Sequence, residues 1–165
     1  MQLARKTVEA YVSAGKKIRI PEGLPREMTE RRAGVFVSIK KEGRLRGCIG
    51  TIQAVQGSIA DEIIENAVSA AVCDPRFSPV EPEELDKLVI TVDVLGDTEK
   101  IASPDMLDVK RYGVVVTKGY KRGLLLPNLE GVDTVDEQIA IAKRKAGIGE
   151  DEAAGLERFE VVRHY

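Results

Sequence analysis

The order of local signals along the chain is helix, strand, strand, helix, three strands, helix, strand. It predicts an α+β fold, layered, with mainly antiparallel sheet and packed helices. Three observations carry this expectation. Strand-length runs are joined by tight turns, at Lys41-Glu42-Gly43-Arg44 and Lys118-Gly119-Tyr120-Lys121, so hairpins dominate. The strict strand–helix alternation of a parallel sheet is missing. The helical segments carry apolar residues on one side only, as helices packed on a sheet do.

Taken in order, residues 2–15 read as an amphipathic helix with Leu3, Ala4, Val8, Tyr11 and Val12 at helical spacing and Gly15 to close it. Residues 18–25, with Pro21 and Pro25, read as an extended connector. Val35, Val37 and Ile39 alternate with Phe36 and Ser38 in a strand over 34–40. Its antiparallel return runs from Leu45 to Ile52. Ser58 opens a helix to Val72, with Ala60, Ile63, Ile64, Ala67, Val68 and Ala71 as its core stripe. Asp61, Glu62, Glu65 and Ser69 are expected on its solvated side. Asp74-Pro75-Arg76-Phe77-Ser78-Pro79 stops it, because proline disfavours helical backbone in the residue before it. Pro82–Leu85 reads as a short helical turn, and Leu88–Leu95 as the strongest strand, with Asp93 expected to face solvent. Residues 96–108 read as irregular and as a linker between lobes. A hairpin spans Gly113–Leu126, and Thr134 with Glu137 forms a capping box for a helix closed by Gly147. Arg158–His164 returns as a last strand.

The return strand holds the candidate site, Leu45-Arg46-Gly47-Cys48-Ile49-Gly50-Thr51. Period-two alternation puts Arg46 and Cys48 on one face. A cation beside a thiol favours the thiolate, the form that attacks electrophiles. Cys48 and Arg46 are therefore the catalytic candidates. Gly47 and Gly50 would let a ligand approach the backbone, and Thr51, Asp74 and Arg76 are candidate binding residues. The plainer alternative is a small buried thiol, a solvated arginine and a rigid turn in which Arg76 pairs with Asp74 or a carbonyl. Cys73, at the tail of a helix, reads as structural.

Composition narrows the function. Two cysteines and one histidine, His164, make no zinc-type cluster and no disulfide framework, so no metal site is expected unless carboxylates alone build it, and the cofactor is unknown. A cysteine nucleophile usually has a nearby histidine, and only His164 could serve. No apolar run reaches the ~20 residues of a membrane span, and the N-terminus lacks a signal-peptide core, so a cytoplasmic protein is expected. Residues 1–46 hold 12 Lys+Arg against 5 Asp+Glu, but these cations are scattered and lack an aromatic platform, which argues against nucleic acid.

Leu45-Arg46-Gly47-Cys48-Ile49-Gly50, with Asp74-Pro75-Arg76-Phe77, the hairpin end Gly123-Leu124-Leu125-Leu126-Pro127 and Glu130-Gly131-Val132-Asp133-Thr134, resembles the AMMECR family over nearly the whole chain. The closing segments look most like the prokaryotic branch called AmmeMemoRadiSam system protein A. The resemblance implies one AMMECR-like domain over 1–165, in two lobes with the signature near a cleft between them. The larger lobe would take 1–100 with 155–165, and the smaller 101–154. It also implies association with a Memo-like protein and a radical-SAM protein. Two functions stand side by side. One is an enzyme or enzyme-accessory protein acting on a small molecule, of identity unknown, around Cys48. The other is a non-catalytic binding or scaffold module for those partners. A nucleic-acid binder comes third.

Overall fold

The computed structural model describes residues 1–165 and contains two four-stranded antiparallel sheets with packed helices. Two compact units divide the chain: Met1–Leu95 with Val162–Tyr165, and Gly96–Val161.

In the first unit α1 (Gln2–Ala14) ends on Gly15, whose φ of 64° is the left-handed value a helix C-terminus favours. A short helix, α2 (Arg26–Glu30), follows. Its five residues are too few to show a stripe, so the sequence reading passed over it. β1 (Val35–Lys41) and β2 (Arg44–Gly50) form a hairpin. Glu42 and Gly43 both take positive φ, 51° and 77°, as a two-residue type I′ turn requires. α3 (Ile59–Val72) starts at Ser58, whose hydroxyl accepts the Asp61 N–H at 3.1 Å. A 3₁₀ turn, Pro82–Lys87, leads into β3 (Leu88–Leu95).

The sheet order is β2-β1-β3-β8, with β8 spanning Val161–His164. α1 and α3 cover one face of it. Val35, Val37 and Ile39 are fully buried there with Ile90 and Val92 beneath Ala60, Ile63, Ala67 and Ala71. At roughly 1.5–3 kcal/mol for each large aliphatic side chain, this layer is the main stabilising term of the unit.

The second unit holds the sheet β4-β7-β5-β6: β4 (Glu99–Ile101), β5 (Gly113–Lys118), β6 (Lys121–Leu125) and β7 (Gly155–Phe159). α4 (Val135–Ala146) packs on it through Ala142 and Ile139. Its Thr134–Glu137 capping box and its Gly147 terminus at φ 70° are both present. Gly119, at φ 59° in the first central position, makes the β5–β6 turn type II′.

Three local expectations are corrected. The segment 96–108 is not wholly irregular, since β4 and a 3₁₀ turn at Pro104–Met106 lie in it. The last strand is two strands, broken at Glu160, because β7 pairs with β4 and β5 whereas β8 joins the other sheet. Asp93 does not face solvent: it is 1% exposed and takes Arg163 through both carboxylate oxygens, at 2.6 and 3.3 Å.

Candidate functional site

β2 is the edge strand of its sheet, so every second residue points its N–H and C=O outward with no strand to receive them. Thr51 N–H donates to the Val35 carbonyl, which fixes the pairs Val37–Ile49 and Ile39–Gly47 as bonded and turns Cys48 outward. The exit turn of α3 fills that position. Asp74 Oδ2 accepts the Cys48 N–H at 2.9 Å, and Arg76 Nη2 donates to the Cys48 carbonyl at 3.2 Å. Asp74 and Arg76 therefore stand in for one residue of a neighbouring strand. They are also locked to each other, with Arg76 Nε and Nη2 on the two Asp74 oxygens at 3.0 and 2.7 Å and the Arg76 N–H on Oδ1 at 3.1 Å. The bonds from Arg76 hold the Asp74 carboxyl well below the usual carboxylate range. The Cys48 N–H adds to this, and burial only partly opposes it.

The Cys48 side chain lies on the sheet face away from α3. Its Sγ is 3.2 Å from Ser38 Oγ, and it is half-buried. Arg46 does not stand beside it in simple alternation. The pairing runs Ile39–Gly47 and then Lys40–Leu45, so Arg46 is the extra residue of a β-bulge. Its guanidinium turns to the 3₁₀ turn, where Nε and Nη2 grip Glu84 at 3.0 and 2.9 Å. Nη1 and Nη2 also donate to the Ser78 and Pro79 carbonyls. Lys41 Nζ reaches the same Glu84 at 2.8 Å. Arg46 first and Lys41 next pull the Glu84 carboxyl down to about 2.

The two glycines are explained by packing. A Cβ at Gly47 would meet the Ala70 carbonyl oxygen of α3, and one at Gly50 would meet the Phe36 ring. β6 repeats the device, with Gly123 against the Ala142 carbonyl oxygen of α4. Thr51 is also engaged: its hydroxyl donates to Glu62 at 2.7 Å and lies 3.4 Å from the donating Val35 N–H and Asn66 Nδ2.

Glu62 was expected on a solvated face and is 1% exposed instead. It accepts the Val55 and Gln56 N–H groups at 2.9 and 2.8 Å and so pins the loop after β2. Sequence reasoning missed Glu62, Asn66 and Glu84, because their partners are backbone groups or distant in the chain. The Glu at the third position of the Pro82 turn was the one available signal for Glu84. Cys73, expected to be structural, is exposed at the C-terminus of α3.

His164 lies on β8, three strand spacings from β2, or roughly 14 Å at about 4.8 Å each. No group of three or more His, Cys, Asp or Glu side chains converges on a point where a metal ion could be held. No helix is long and apolar enough to cross a membrane.

These features define an α+β protein whose signature strand is an edge strand clasped by the exit turn of the helix that follows it. The profile of the AMMECR1 family matches residues 1–164, and the chain belongs to that family. A protein of Thermotoga maritima is 51% identical over 163 residues, covering 98% of this chain and 94% of its own. Protein CA_C1420 of Clostridium acetobutylicum is 50% identical over 165 residues, covering 99% of this chain, which spans only 35% of that longer protein. The crystal structure of the uncharacterized protein PH0010 from Pyrococcus horikoshii superposes with a TM-score of 0.90 at 36% identity, over 98% of this chain and 87% of its own.

Proposed function

We propose that this chain is a non-catalytic accessory module that binds beside a larger partner, and that the Memo-like and radical-SAM proteins implied by the resemblance are those partners. The observation that carries this reading is the commitment of the signature's polar groups. The Cys48 N–H, which an oxyanion would need, is bonded to Asp74. Arg46, which would activate the thiol, is bonded to Glu84, Ser78 and Pro79. No histidine stands near enough to act as a base. The Clostridium relative lends support, since a segment like this chain makes up 35% of a longer protein there.

The second reading, an enzyme acting on a small molecule through Cys48, is favoured by one observation: Sγ is half-exposed and within 3.2 Å of a hydroxyl. Co-expression with the Memo-like and radical-SAM proteins, followed by sedimentation analysis, separates the two. A complex that survives Cys48→Ser is expected. Absence of any complex, together with a turnover that Cys48→Ser abolishes, would establish the enzyme instead.

A further inference from the structure

An open groove of ≈ 510 Å³ is lined by the end of β1, the Arg46 bulge, Phe77 and Ser78, and the Pro82–Lys87 turn with Glu81 before it. That volume is within the range of small-molecule sites, about 300–1,000 Å³. We infer that this groove binds a small zwitterionic amino-carboxylate, such as a free amino acid, and that Arg46 of the signature belongs to this site.

The floor is rigid. Arg46 and Glu84 form a two-point ion pair in which each side chain is only 14% exposed, and Lys41 shares the same carboxylate. Two cations against one carboxylate leave a positive charge at the floor. Arg46 donates four of its five N–H groups within the chain. Lys41 uses one of its three N–H donors on Glu84. Donors therefore remain for one further carboxylate. Lys87, at the end of the turn, adds a third cation to the lining, and Glu81 and Glu83 supply two further carboxylates; none of the three forms an ion pair within the chain.

The lining thus carries both signs, with positive groups at the floor and at Lys87 and negative groups at Glu81 and Glu83. A pure anion would meet Glu81 and Glu83, and a pure cation would meet Lys41 and Lys87. A molecule with an ammonium and a carboxylate one carbon apart satisfies both. The half-buried Phe77 ring forms an apolar part of the wall against which an aliphatic side chain can lie.

The site stands on its own geometry, so loss of ligand binding and loss of a protein partner are read separately. The test is amide NMR titration of the full chain with L-leucine, L-glutamate and L-lysine. Isocaproate and isoamylamine, the deaminated and decarboxylated halves of leucine, serve as controls. At least one amino acid is expected to give saturable shifts confined to residues around Phe77, Ser78, Glu83 and Lys87, with a millimolar or tighter Kd. Each half-molecule should bind at least about tenfold more weakly, a difference of about 1.4 kcal/mol. Lys87→Ala and Glu83→Ala alter exposed side chains, so both should fold, and each should weaken binding about tenfold or more. Cys48→Ser should leave it unchanged. No saturable shift with any of the three amino acids would overturn the assignment. So would half-molecules that bind as tightly as leucine, or shifts unaffected by both substitutions.

Discussion

Removing the Asp74 carboxylate should open the clasp on the edge strand. In Asp74→Ala the Cys48 N–H loses its acceptor while remaining part-buried, which costs about 1–3 kcal/mol. Arg76 loses both oxygens, but its side chain is 54% exposed and re-solvates, so its share is only about 0–1 kcal/mol. The sum is roughly 1–4 kcal/mol, centred near 2, a sizeable part of a typical stability of about 5–15 kcal/mol. Asp74→Asn keeps one acceptor for the Cys48 N–H and loses the charge, so about half that cost is expected. Urea unfolding should show a fall in midpoint of about 1 M for the alanine variant at unchanged slope. Hydrogen exchange should show the Cys48 amide losing protection by about thirtyfold, the equivalent of roughly 2 kcal/mol. A stability within about 0.5 kcal/mol of wild type, with Cys48 exchange unaltered, would refute the clasp.

Three further outcomes follow from the same contacts. Glu84 has a folded pKa of about 2, below its ordinary 4.5, so the stability it contributes is complete above about pH 5 and is lost as the pH falls toward 2. After screening of this part-exposed pair, wild type should lose about 1–2 kcal/mol more than Glu84→Gln over that window, and equal slopes would contradict the ion pair. Gly47→Ala must push the α3 backbone away at Ala70 and should cost about 1–3 kcal/mol in chemical denaturation, whereas alanine at the solvent-facing Lys40 should be nearly neutral. Glu62→Ala should raise hydrogen exchange at Val55 and Gln56, whose N–H groups it alone receives; unchanged exchange there would show the loop is held otherwise.

Much of the fold was legible because it rests on period. The β1 alternation of Val35, Val37 and Ile39 and the α3 stripe from Ala60 to Ala71 put the right residues in the core. Ser58, Thr134, Gly15 and Gly147 marked helix ends by chemistry that needs no tertiary context. The bulge at Arg46 was not legible. A one-residue insertion leaves the composition of a strand unchanged, and what holds it, Glu84, lies 38 residues away. Asp93 and Glu62 read as surface groups for the same reason: charge predicts exposure until a partner is known, and Arg163 and the loop amides at 55 and 56 are such partners. At the site, the residue types of the Asp74–Arg76 turn suggested an anion clamp or an internal pair. The structure shows the internal pair, spent on the backbone of Cys48.

The claim that the signature is a clasped strand rather than a nucleophile is tested most directly by the thiol itself. Cys73 is exposed and would label first, so the measurement uses Cys73→Ser protein, with Cys48 as its one thiol. Iodoacetamide labelling of native protein near neutral pH is followed by mass spectrometry, with and without Arg46→Met. Slow labelling is expected, no faster than a free thiol and not further slowed when Arg46 is replaced. Labelling many times faster than a free thiol, and lost with Arg46→Met while the fold persists, would contradict the account and return Cys48 to the centre of a reaction.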